Sequence, residues 1–91
     1  MILKEFYFMK IQNVNVLVTK VEMKQGKNSS YLAIDFIDMS TGQLFTVIDK
    51  EIDRIQQLRN MTKYIFNLSI SSSKYGIQLS IDNIVKELGG I

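Results

Sequence analysis

Apolar and polar residues alternate with a period of two over most of this chain, and that alternation predicts strands. Phe6, Phe8 and Ile11 lead into a strand-like region with no turn signal before Gln25. Val14, Val16 and Val18 share one face of it, but Leu17, Val21 and Met23 fall on odd positions. An odd offset in a period-two element predicts a bulge or sharp bend near Val18–Lys20. A second strand runs from about Tyr31 to Met39, with Leu32, Ile34 and Phe36 on one face and Tyr31, Ala33 and Asp35 on the other. Ser40-Thr41-Gly42 supplies a turn, and a third strand from Gln43 to Ile48 or Asp49 completes a hairpin.

The pattern then changes. Ile52, Ile55 and Leu58 recur every three residues among charged and amide side chains, which predicts a short amphipathic helix over Lys50 to Asn60. Asp49 is its expected N-cap, Asn60 its end, and the three apolar residues its buried plug. The fourth strand, Thr62 to Ser71, points Tyr64, Phe66, Leu68 and Ile70 inward and Asn67, Ser69 and Ser71 outward. After the polar turn Ser71 to Gly76, a fifth strand places Ile77, Leu79 and Ile81 inward. Ile84, Val85 and Leu88 read as a short tail, with Gly89-Gly90 fraying.

Three strands, a helix and two strands, the first long and bent, is the layout of the five-stranded Greek-key barrel called the OB-fold. The expected fold class is therefore all-β, with one short helix between strands three and four. An SH3-like barrel also has five closely spaced strands, but usually lacks a helix of this length at that point.

Composition narrows the possibilities further. At 91 residues the chain is one domain, residues 1–91, with 1–10 read as an N-terminal extension and 86–91 as a frayed tail. A domain this small buries only about 60–65% of its unfolded surface, so dimerisation is an expected source of stability. There is no cysteine and no histidine, which removes disulfides, thiolate-held zinc and the commonest general base. No apolar run approaches a membrane span, and Met1 to Met9, interrupted by Lys4 and Glu5, does not fit a secretory signal. The expectation is a cytoplasmic protein without membrane association.

The net charge of +2 permits nucleic-acid binding without arguing for it, so the placement of the cations matters more. Lys20, Lys24 and Lys27 surround Gly26 in the loop that re-enters a strand at Tyr31. The loop between strands four and five carries Lys74 and Tyr75. In an OB-fold these two loops flank the nucleic-acid path across strands two and three. Phe45, on the third strand, is expected between them, unless the face it shares with Val47 is the core. Rings stack bases at about 1–3 kcal/mol each without regard to sequence, and the lysines add a salt-dependent phosphate term. Phe36 and Phe66 are assigned to the core, and Lys50, Arg54 and Arg59 to the helix surface.

Enzymatic readings find no support. Asp35 and Asp38 fall on opposite faces of a regular strand. Asp49, Glu51 and Asp53 suit a helix start, and the serines at 29–30 and 71–73 lack a histidine to activate them. No glycine-rich phosphate motif is present. Neither catalysis nor a metal or other cofactor is expected.

Three stretches together resemble the single-stranded-DNA-binding proteins of filamentous bacteriophages: Gln25-Gly26-Lys27 leading to Tyr31; Phe45 through Lys50; and Lys74-Tyr75-Gly76 followed by Leu79, Ile81 and Asp82. The resemblance covers roughly Val18 to Leu88. It implies a dimeric OB-fold protein, with Tyr31, Phe45 and Tyr75 where that family places DNA-contacting aromatics, and Lys24, Lys27 and Lys50 where it places cations. Lys20 is offset from another such cation. Asn83 stands where a cation is usual, and the N-terminus and helix also differ. The function expected is a homodimer that coats single-stranded DNA without sequence preference during phage or plasmid replication or transfer. The alternatives are an OB-fold protein-interaction module and an RNA-binding barrel.

Overall fold

A computed structural model describes residues 7–73 and 76–90. Five strands, β1 (Tyr7–Gln25), β2 (Ser30–Asp38), β3 (Leu44–Asp49), β4 (Thr62–Ser73) and β5 (Gly76–Gly90), form one antiparallel sheet in the order β3-β2-β1-β4-β5. Long β1 serves both halves, pairing with β2 over its second part and with β4 over its first. Its register to β2 shifts between Val18 and Lys20, leaving Thr19 as an extra residue whose hydroxyl donates to the Asp35 carbonyl. The face switch in the apolar pattern is therefore a bulge, as expected.

A second shift, between Ile11 and Val14, bends β1 against β4. Asn13 adopts a left-handed conformation there (φ 58°), which asparagine tolerates better than most residues. Its N–H donates to Asn67 Oδ1 at 3.0 Å, and Asn67 Nδ2 donates to Asn83 Oδ1 at 3.1 Å. One row of three asparagines thus ties β1, β4 and β5 together at the bend.

The core collects Val16 and Val18 from β1, Leu32, Ile34 and Phe36 from β2, Val47 from β3, and Tyr64, Phe66 and Leu68 from β4. Phe36 meets Phe66 edge to face with ring centres 5.8 Å apart. Tyr64 is fully buried, and its hydroxyl accepts from the Arg59 N–H at 2.7 Å and donates to the Gln57 carbonyl at 3.3 Å. Burial of that phenol raises its pKa above the usual tyrosine value.

Several expectations need correction. Lys50 to Asn60 is not an α-helix; it holds one 3-10 turn, Ile52–Gln56. A strict spacing of three matches the three residues per turn of a 3-10 helix rather than 3.6. So short an element buries little, and Ile52 and Ile55 are exposed while Leu58 alone enters the core. Asp49 is also not the N-cap, a position held by Glu51, and Asn60 uses its Oδ1 to accept the Val21 N–H across the chain.

The supposed tail is strand. β5 continues to Gly90 opposite Thr62, with register shifts that leave Asp82, Val85 and Leu88 as extra residues. Likewise, residues 7–10 are not an extension but the start of β1, opposite Ser69–Ser72. Ile77 faces the expected inner side with Leu79 but is 78% exposed, because it pairs with Ser72 at the hairpin end beyond the core.

The sheet does not close into a barrel: among the described residues no backbone ladder joins its edges, β3 and β5. A side chain does bridge them. Arg54 Nη1 bonds Asp49 Oδ2 at the end of β3 and the Ile81 carbonyl of β5, and Nη2 bonds the Asp82 carbonyl at 2.8 Å. Arg54 is therefore a structural clasp and not a surface charge.

Candidate nucleic-acid interface

Register decides which side chains share a face, because directly opposed residues on neighbouring strands point the same way. Lys24 lies opposite Tyr31, Glu22 opposite Ala33 and Lys20 opposite Asp35. On the far side of β2, Ala33 lies opposite Ile48, Asp35 opposite Thr46 and Ile37 opposite Leu44. These residues form the outer face of the β1-β2-β3 half-sheet, away from the core set Leu32, Ile34 and Phe36. Tyr31, Lys20 and Lys24 are thus brought together.

Tyr31 is held by the loop beneath it. Gly26 donates its N–H to the Ser29 carbonyl at 2.9 Å, closing the turn. A Cβ on Gly26 would stand 2.8 Å from that same carbonyl and 3.4 Å from the Tyr31 ring. Glycine is required here for lack of space. Tyr31 stays half-buried, its ring over Gly26 and its residue opposite Lys24, while Lys27 follows in the exposed bend and Lys50 is exposed just past β3.

Phe45 goes elsewhere. It lies opposite Phe36 and stacks on it with centres 5.7 Å apart, so it belongs to the inner face with Val47. It remains 38% exposed because it lines an open cavity of about 360 Å³ with Ile11, Leu68, Ile77, Leu79 and, as the only charged residue of the wall among the described residues, Asp38. Phe45 therefore does not join Tyr31 on one stacking surface. Leu44 and Ile48, which alternate with it, take the outer positions, and Leu44 is 60% exposed. Lys74 and Tyr75 lie outside the described residues.

The charge balance of the face is closer to neutral than its lysines suggest. Glu22 Oε1 sits 3.6 Å from Lys20 Nζ and 3.7 Å from Lys24 Nζ. Asp35, opposite Lys20, accepts the Thr46 hydroxyl at 2.7 Å. Two carboxylates thus offset two ammonium groups, and the surplus positive charge comes from Lys27 and Lys50. Glu22 is the residue that cation counting overlooked. Its signal was in the sequence, since the alternation of charged residues with Val21 and Met23 puts Lys20, Glu22 and Lys24 on one face.

Asp38 marks the end of the β2–β3 hairpin. Its Oδ1 accepts both the N–H (2.9 Å) and the hydroxyl (2.8 Å) of Ser40, and these two bonds, the N–H foremost, lower its pKa. Asp82 is lowered as well, chiefly by its 2.9 Å bond from Lys10 Nζ. Among the described residues no group of three or more acidic side chains converges as a metal site would require. No helix there is long and apolar enough to cross a membrane. No protein-family model, curated protein or solved structure matches this chain.

Proposed function

We propose that the chain is an OB-fold protein that binds single-stranded nucleic acid, DNA in the first place, along the outer face of β1, β2 and β3. The fold reading is supported by the strand order: β4 returns beside β1 after the β1-β2-β3 meander, giving the Greek-key order 4-1-2-3, and Arg54 ties β5 to the end of β3. The observation that carries the functional reading is Tyr31. A part-exposed aromatic on a sheet face, with a lysine directly opposite and two more on the same face or its loop, is a stacking platform with phosphate contacts.

The near-neutral balance of that face makes stacking and apolar contact, rather than charge, the main source of affinity. Bases are free to stack only in a single strand, so duplex should bind poorly. By the resemblance noted above, the protein would act as a homodimer coating single strands in phage or plasmid replication. A second reading, a protein-docking module, is favoured by exposed Leu44 and Ile48 on the same face.

The test is fluorescence anisotropy of a labelled oligo-dT strand across a salt series, with duplex alongside. Binding to the single strand, weaker binding to duplex and a log–log salt slope no steeper than about −3, from Lys20, Lys24, Lys27 and Lys50 at ~0.7 each, is the expected result. No binding to oligo-dT at about 50 mM salt, a concentration at which phosphate contacts are strong, would reject the reading in favour of the docking module.

A further inference from the structure

The Lys20-Glu22-Lys24 row has a consequence for how tightly any polyanion can be held. Period-two alternation after the Thr19 bulge projects the three side chains from one face of β1, and both ammonium groups approach the same oxygen, Glu22 Oε1, at 3.6 and 3.7 Å. A phosphate oxygen held by Lys20 and Lys24 together would compete for the place Glu22 Oε1 occupies. All three side chains are about half exposed, so the pairs are weak enough to be broken by an incoming anion. They still subtract from its binding.

We infer that Glu22 is a built-in competitor for the phosphate backbone, tuning down the electrostatic part of binding at the proposed site so that stacking on Tyr31 carries a larger share. This rests on the nucleic-acid reading above. In the free protein Glu22 partly neutralises both lysines, so they neutralise fewer phosphates and release fewer of the counterions condensed on the nucleic acid. Removing its charge frees two cations at once. The phosphate term is common to all nucleic acids, so the gain should be similar for single strands and duplex.

The test compares the wild type with Glu22→Gln, which keeps size and hydrogen-bonding capacity, and with Glu87→Gln, which makes the same change in net charge on exposed β5 away from this face. Labelled oligo-dT and a matched duplex are titrated from low to moderate salt. Glu22→Gln should bind both roughly three- to tenfold more tightly at low salt, as expected from two exposed ion pairs. Its salt slope should steepen by about 1, within the limit of ~1.4 for two freed lysines on a single strand. Glu87→Gln should do neither. A Glu22→Gln protein that matches the wild type or Glu87→Gln in affinity and slope, while the wild type binds oligo-dT, overturns the inference and leaves the proposed function standing. Failure of both wild type and Glu22→Gln to bind oligo-dT removes the proposed function and the inference with it.

Discussion

Arg54→Ala should be the most damaging single change outside the apolar core. The guanidinium is 16% exposed and its partner Asp49 8%, so the pair is largely shielded from water. Truncation removes the ion pair and two bonds to β5 carbonyls, leaving Asp49, among the described residues, with the Glu51 N–H at 2.9 Å. Breaking a buried pair from one side costs about 3–5 kcal/mol. The surviving Glu51 contact, and water reaching the freed carbonyls at the seam, place the expected loss at the low end, about 3 kcal/mol. For a domain of this size that is a fall in Tm of about 12–24 °C. Urea and thermal melts followed by circular dichroism measure it. A double-mutant cycle isolates the pair: with the charge removed by Asp49→Asn, adding Arg54→Ala should cost much less than it does alone. Arg54→Ala melting within a few degrees of wild type, or a cycle with no coupling, would refute the clasp.

Other outcomes follow from the same geometry. Tyr31→Ala should weaken oligo-dT binding by about 1–3 kcal/mol in a protein whose circular dichroism is unchanged; unchanged affinity would remove the ring from the site. Asn67→Ala, which takes away both links in the asparagine row, should cost about 1 kcal/mol in urea melts, and a neutral result would show that the β1 bend holds itself. Stability should also fall in acid. Asp38 and Asp82 have folded pKa values below 3.8, so the unfolded chain takes up protons first as pH drops. Their contribution is present above about pH 4 and is lost as pH falls through the lowered folded values. Tyr64, raised in the fold, acts at the other end: its contribution is intact below pH 10 and lost above it. With no histidine in the sequence, stability should be nearly flat from pH 5 to 8, and Asp38→Asn should shallow the acid limb.

How much was legible in the sequence depended on whether an element obeyed a simple period. β2 and β4 do, and their core residues were all readable. The Thr19 bulge was readable too, because it changes the parity of a long apolar run. Phe45 was harder: its run, Leu44 to Ile48, is apolar on both faces, so alternation alone does not say which side is buried. Only the register with Phe36 and Ile34 decides that. The site was legible as far as Tyr31 and its neighbouring lysines, all local in sequence. Glu22's effect was missed because a basic loop invites counting cations rather than asking which carboxylate lies between them. Arg54 was unreadable for another reason. Its partners Ile81 and Asp82 are 27 and 28 residues away, and two are backbone carbonyls, which no side-chain pattern announces.

β5 shows how a strand can imitate something else, and it gives a sharp test. Ile81, Ile84, Glu87 and Gly90 lie opposite Leu68, Phe66, Tyr64 and Thr62, so three residues of β5 advance for every two of β4. The spacing of three hides the strand from a period-two reading, and each extra residue adds twist that coils β5 along β4. It follows that two adjacent aliphatic residues of similar hydrophobicity should differ greatly in weight. Ile84 packs against the core opposite Phe66, whereas Val85 is an extra residue, 45% exposed. Ile84→Ala should cost about 2 kcal/mol or more, at the low end of the range for buried isoleucine because the site is only partly covered. Val85→Ala should stay within about 0.5 kcal/mol, as surface changes usually do. Paired urea melts decide it. Equal losses would mean that β5 does not follow this register, and a larger loss at Val85 would mean that the strand is shifted by one residue.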